Sequence, residues 1–157
     1  PTLDCSCVIL DVRLGHQMSG PDVFERMREL GCLAPVIFLT GHADVPVAVR
    51  TLKAGAFDFL EKPFNDNQIV DLAIKAIEKF AAQKDVQRRI STLSAREQEV
   101  MRLMLQGELN KQIANSLGIA NRTVEVHRGR ILAKMGVRNA TELALLLTRD
   151  HAFLARN

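Results

Sequence analysis

Three short apolar runs, each closed by a polar side chain and separated by helical patterns, constrain the first part of this chain more than any other feature. Val8-Ile9-Leu10 ends at Asp11, Val36-Ile37-Phe38-Leu39 ends at Thr40, and Phe57 to Leu60 is closed by Glu61-Lys62-Pro63-Phe64. Between them, Pro21 to Leu30 carries Val23, Phe24, Met27 and Leu30 at helical spacing, and Val45 to Ala54 reads as a second helix stopped by Gly55. Gln68 to Phe80 reads as a third helix, with Ile69, Leu72, Ala73, Ala76, Ile77 and Phe80 on one stripe. The order β-α-β-α-β-α with continuously apolar strands predicts a parallel sheet covered by helices, the doubly wound α/β class.

The composition fits that class and excludes others. Of the 157 residues, 47% are apolar and 25% charged, the balance of a folded globular protein rather than a disordered or collagen-like one. No apolar run is long enough for a membrane span, and the opening Pro-Thr-Leu-Asp does not read as a secretory signal. Three cysteines, Cys5, Cys7 and Cys32, are an odd number with no metal-ligand spacing. They read as buried thiols of a reducing, cytoplasmic environment, with Cys5 and Cys7 on one face of a strand.

Charge divides the chain. Residues 1–84 hold nine Lys/Arg against eleven Asp/Glu, a net of −2, and residues 85–157 hold twelve against seven, a net of +5. Six of the seven Phe lie in the first 80 residues. The split predicts an acidic front unit and a basic back unit with different partners. We place the front domain at 1–82, a linker at 83–91 where a helical extension runs out, and an all-α back domain at 92–157.

The back domain reads as four helices. Ser94-Ala95-Arg96-Glu97 is a capping box, and Val100, Met101, Leu103, Met104 and Leu105 follow before Gly107. Asn110 is the expected cap of a short helix carrying Ile113, Ala114 and Leu117 and ending at Gly118. A third helix spans about Arg122 to Met135, and Asn139 is the expected cap of a fourth with Leu143, Leu146 and Leu147 on one side.

Two sites stand out. In an open parallel sheet, ligands bind at the carboxyl ends of the strands, where Asp11, Thr40 and Lys62 all fall. A carboxylate there can act as nucleophile, while an ammonium and a hydroxyl stabilise phosphoryl oxygens. In the back domain, the second and third helices have helix-turn-helix spacing. On the third helix Val124, Ile131, Leu132 and Met135 form one stripe, and Arg122, Val126, Gly129, Arg130 and Ala133 lie opposite. That outward face, cationic with small residues, suits the floor of a major groove. Thr123 and Lys134 flank it and Lys111 stands in the preceding helix, all placed for phosphates. Arg128, nearer the core stripe, is expected to pair with Glu97 or Glu99. Glu125 can accept from cytosine N4 or repel phosphate.

The local sequences resemble a known family. Val8-Ile9-Leu10-Asp11-Val12-Arg13-Leu14 with Met18-Ser19-Gly20 is similar to the phosphoacceptor segment of response-regulator receiver domains. Val36 to Pro46 resembles their fourth strand and following loop, and Lys53 to Phe64 their fifth strand and Lys-Pro turn. The resemblance implies that Asp11 is phosphorylated, that Thr40, Phe59 and Lys62 are switch residues, and that the backbone carbonyl of Arg13 is a metal ligand. Leu93 to Val100, Asn110 to Ile119, Arg122 to Arg128 and Lys134 to Val137 resemble the LuxR-type DNA-binding domain, bringing Asn110 and His127 into the candidate DNA-binding set.

Three departures shape the expectation. Gly15-His16-Gln17 replaces the proline-containing loop of the family. Ala120 stands where a capping Ser is usual, leaving Asn121 as the expected cap. A receiver also has two strands and two helices before the aspartate strand, the first strand ending in an acidic pair that binds Mg²⁺. Only ten residues precede Asp11, and Asp4 is too close to substitute. We therefore expect a truncated receiver with Pro1 as a fragment boundary, an exposed edge on the Asp11 strand, and Mg²⁺ only if the acidic pair is supplied.

Together these resemblances imply a FixJ/NarL-type two-component response regulator: a DNA-binding transcription regulator, not an enzyme, controlled by a sensor histidine kinase. It would bind double-stranded DNA as a homodimer through the last helix, Leu143 and Leu147, with RNA polymerase as a candidate further partner. Two alternatives remain. One is a phosphorylation-independent DNA-binding protein with a receiver remnant. The other is a phosphohydrolase using Asp11, disfavoured because Arg13 stands where such enzymes keep an acid/base carboxylate.

Overall fold

A computed structural model describes residues 5–15, 18–41 and 45–148. Asp4, His16, Gln17 and His42–Asp44, which entered the sequence reading, lie outside them. The described chain runs β1(Val8–Asp11), α1(Gly20–Glu29), β2(Val36–Thr40), α2(Val45–Lys53), β3(Asp58–Glu61), α3(Asp66–Ser91), α4(Ala95–Leu105), α5(Asn110–Leu117), α6(Asn121–Met135) and α7(Ala140–Thr148). It divides into two compact units, Pro1–Ala81 and Ala82–Asn157.

The first unit is the predicted parallel sheet, in the order β1-β2-β3. Val8 pairs with Val36 and Asp11 with Leu39 across the first ladder, and Ile37 pairs with Asp58 and Thr40 with Glu61 across the second. The middle strand is apolar without alternation because both of its faces are covered, and Val36, Ile37 and Phe38 are fully buried. Phe24 from α1 meets Phe38 edge-on at 5.7 Å between ring centroids, and Val12 completes this core. Leu30, expected on the buried stripe of α1, is instead exposed, because α1 ends at Glu29 and Leu30 is its C-cap. Among the described residues β1 pairs with β2 alone, and its Ile9 is exposed.

The start of α1 carries a signal the sequence reading passed over. Ser19 and Asp22 form a capping box: the Ser19 amide donates to Asp22 Oδ2 at 2.8 Å, and the Asp22 amide donates to Ser19 Oγ at 3.4 Å. None of the three cysteines forms a disulfide, and all three are only half-buried. Cys5 and Cys7 precede the strand rather than lying in it, so the strand-face argument does not apply to them.

The second unit packs α4 to α7 around Val100, Met101, Met104, Ile113, Val124, Ile131, Met135, Leu143 and Leu147. The Ser94/Glu97 capping box forms as predicted, and Asn139 Oδ1 accepts from the Glu142 amide at 2.8 Å at the start of α7. The other two expected caps are displaced by one residue. Leu109 and Ala120 are the N-caps, so Asn110 and Asn121 are the first helical residues. Gln112 Oε1 reaches back to the Leu109 amide at 2.7 Å, doing part of the work expected of Asn110.

Residues 83–91, read as a linker, are helical throughout, as the last turns of α3. Val86 is buried in the second core and Ile90 packs against it. An apolar pair four residues apart keeps the helix wound, because unwinding would expose both side chains. Among the described residues no helix is long and apolar enough to cross a membrane.

Candidate phosphoacceptor site and nucleic-acid interface

Parallel pairing brings the strand ends to one edge, and the polar residues gather there. Lys62 Nζ, just past β3, hydrogen bonds and ion-pairs with Asp11 Oδ2 at the end of β1, and the Arg13 amide donates to Asp11 Oδ1 at 3.0 Å. These contacts hold the Asp11 carboxyl below its ordinary range, the Lys62 hydrogen bond first and the Arg13 amide second. Asp11 is therefore ionised at neutral pH.

Thr40, at the end of the middle strand, is fully buried, and its Oγ1 has no hydrogen-bond partner among the described residues. A buried hydroxyl without a partner is costly. Phe59 packs half-buried against the core below this edge. Gly20 approaches closely from α1: a Cβ there would lie 2.2 Å from the Asp11 carbonyl oxygen and 3.1 Å from the Phe38 ring. Only glycine lets α1 start so near the Asp11 backbone.

The expected metal is tested by its donors. Among the described residues, no three His, Cys, Asp or Glu side chains come together to hold an ion. Asp11 and the Arg13 carbonyl alone do not make the oxygen-rich site that Mg²⁺ requires, so the residues present do not fit the ion.

The second site lies on α6. Val124, Ile131 and Met135 are fully buried, with Leu132 at the margin, and Arg122, Val126, Gly129, Arg130 and Ala133 are all exposed. The predicted division of the helix into two faces holds at each of these positions. Gly118 ends α5 in the left-handed region at φ 64°, making the tight turn into α6. Lys111 and Thr123 are exposed and Asn110 is half-buried. Glu125 is exposed, and Asn121 Nδ2 donates to its Oε1 at 3.3 Å. His127 is half-buried, and its Nδ1 is buried without a partner among the described residues.

Two cations depart from expectation. Lys134 was placed at the phosphate flank, but its Nζ donates to Glu97 Oε2 at 2.6 Å and to the Thr92 carbonyl at 3.0 Å. Arg128 was expected to pair with Glu97 or Glu99 and pairs with neither, because Glu97 holds Lys134 and Glu99 holds Arg96 at 2.7 Å. The leucines expected to form a dimer surface are placed differently by burial. Leu143 and Leu147 are 0% and 1% exposed, core residues rather than surface ones, whereas Leu145 is 60% exposed.

A parallel α/β unit with an ionised aspartate, a buried threonine and a lysine at its strand ends, followed by a helix-turn-helix unit, defines a regulator with separate input and DNA-reading modules. The comparisons agree. The receiver-domain profile of response regulators matches residues 1–75, and the profile described as bacterial regulatory proteins, luxR family, matches residues 91–147. The chain belongs to the two-component response regulators that join a receiver to a LuxR-type DNA-binding domain.

It is 60% identical over 153 residues to the C4-dicarboxylate transport transcriptional regulatory protein DctR of Rhodobacter capsulatus, covering 92% of this chain and 77% of that protein. It is 37% identical over 156 residues to the transcriptional regulatory protein FixJ of Bradyrhizobium diazoefficiens, covering 95% of this chain and 76% of that one. Among solved structures, full-length FixJ from B. japonicum matches at 37% identity and a TM-score of 0.45, covering 91% of this chain and 73% of that chain. The chain thus spans about three quarters of the length of these relatives.

Proposed function

We propose that Asp11 accepts a phosphoryl group from a sensor histidine kinase in the cytoplasm and that α6 reads double-stranded DNA. The observation that carries this reading is the pairing of Asp11 with Lys62 at the strand ends, together with a buried Thr40 hydroxyl that lacks a partner among the described residues. An Asp11 carboxylate oxygen attacks phosphorus, forming a P–O bond as the P–N bond to the kinase imidazole breaks, and the leaving imidazole takes up a proton from water. Lys62 then shifts to the phosphoryl oxygens, Thr40 donates its hydroxyl to one of them, and Phe59 follows into the space below. The chain acts as a phosphorylated regulator rather than a turnover enzyme.

On DNA, Arg122, Thr123, Arg130, Lys111 and Asn110 meet phosphates, while Val126, Gly129, Glu125 and His127 face base edges. Two copies bind a two-fold site, with the exposed Leu145 on α7 as the contact between DNA-binding units and RNA polymerase as a further partner.

The test is labelling of the chain with acetyl phosphate and Mg²⁺. Stable incorporation that disappears in Asp11→Asn supports the reading.

A further inference from the structure

The receiver match ends at residue 75 and the LuxR-type match begins at 91, so neither assigns a role to the last turns of α3. Those turns are built into the second unit. Val86 is in its core, Ile90 packs against it, and Arg89 reaches the far end of α6. Arg89 Nε donates to Asp85 Oδ2 at 2.8 Å, and Nη1 donates to the carbonyl of Met135 at 2.7 Å. Met135 is the last residue of α6, and its carbonyl is one of the terminal acceptors a helix cannot satisfy internally. A guanidinium at that end also complements the negative end of the helix dipole.

The local backbone admits this contact. Gly136 caps α6 in the left-handed region at φ 67°, and a Cβ there would stand 2.5 Å from Arg89 Nη1. Glycine is needed both for the turn and for the arginine. A second tie crosses at the same place, from Lys134 Nζ to the carbonyl of Thr92, one residue past α3. Arg88, one residue before Arg89, takes no part. It is exposed, and among the described residues its side chain pairs with Asp85 Oδ1, at 2.6 Å.

We propose that Arg89 is a positioning residue for DNA reading: held by Asp85, it fixes the axial placement of α6 from its C-terminal end without touching DNA. The proposal rests on the reading of α6 as the DNA-reading helix. Base-edge hydrogen bonds tolerate only a few tenths of an ångström, whereas phosphate contacts are long-range and forgiving. Releasing the end of the helix therefore weakens sequence discrimination and leaves non-specific binding in place.

The test uses the full chain, a duplex enriched from a random pool by the unmodified protein, and unselected duplex of the same length, titrated at several salt concentrations. Arg89→Ala is expected to lower the ratio of selected to unselected affinity roughly tenfold. Its salt slope should stay unchanged, and Arg88→Ala should match the unmodified chain. A lowered melting temperature with an unchanged ratio would overturn the proposal and leave Arg89 a stabilising residue only. So would a salt slope reduced by about 0.9, the mark of a phosphate contact. If the unmodified chain enriches no duplex, the reading of α6 itself fails, and the proposal with it.

Discussion

Lys134 Nζ lies 2.6 Å from Oε2 of Glu97, a carboxylate only 3% exposed, and ties the last turn of α6 to the first turn of α4. The same oxygen accepts from the Ser94 amide at 2.8 Å, so one carboxylate serves both the cap and the ion pair.

That arrangement predicts a pH dependence. The Lys134 hydrogen bond, and then the Ser94 amide, hold the Glu97 carboxyl below its ordinary value. A carboxyl with a lowered folded pKa contributes stability that is complete above its unfolded pKa and is lost as pH falls through the folded one. Urea denaturation from pH 7 down to pH 3 should show this loss, and Glu97→Gln should flatten it. Lys134→Ala should cost about 1–3 kcal/mol, discounted because the lysine is partly exposed. It should leave the salt slope of DNA binding unchanged.

Arg130 is the opposite case, a cation on the exposed face of α6. Arg130→Ala should reduce the salt slope by about 0.9 if it meets one phosphate, with little change in melting temperature. Glu125→Ala should relax the preference at one base pair by about 1–3 kcal/mol if its carboxylate accepts from cytosine. Selection from a random pool reads that position directly, and uniformly tighter binding would instead mark Glu125 as a repelling charge.

Gly20 admits no side chain without movement, since a Cβ would fall 2.2 Å from the Asp11 carbonyl oxygen. Gly20→Ala should destabilise the first unit by roughly 1–3 kcal/mol, the range for overpacking. It should also slow phosphoryl incorporation, because it pushes on the backbone that carries Asp11. Denaturation followed by labelling separates the two effects.

The leucines of α7 divide by burial. Leu147→Ala should cost about 2–5 kcal/mol of stability as a core truncation. Leu145→Ala should change stability by no more than roughly 0.5 kcal/mol. If α7 joins two copies, Leu145→Ala alone should weaken self-association, measured by sedimentation on DNA.

Local signals carried much of this molecule into view. The uninterrupted run Val36–Leu39 announces a strand buried on both faces, because alternation would leave a wet side. The two faces of α6 can be read at 100° per residue, because a helix has a fixed period. The Ser94/Glu97 box is legible because both partners lie within one turn. Even the strand-end gathering of Asp11, Thr40 and Lys62 follows from parallel topology.

The misses have a common origin. Asn110 and Asn121 look like caps, but each helix begins one residue earlier. Leu143 and Leu147 form a stripe that a sequence can show to be apolar but cannot assign to core or interface. Residues 83–91 look polar enough for a linker, yet Val86 and Ile90 bind them to a core whose other members come later in the chain. Lys134 resembles any flank cation until Glu97, 37 residues away in the chain, takes it.

Periodicity and turn chemistry act between neighbours, so the sequence alone specified the elements, their order and the exposed face of α6. Pairing partners for charges and covers for apolar stripes depend on which distant segments meet. The charge split that divides −2 from +5 falls at residues 84/85, near the 81/82 boundary of the two compact units, while Arg89, five residues inside the basic part, meets its partner only when folding brings it 2.7 Å from the carbonyl of Met135.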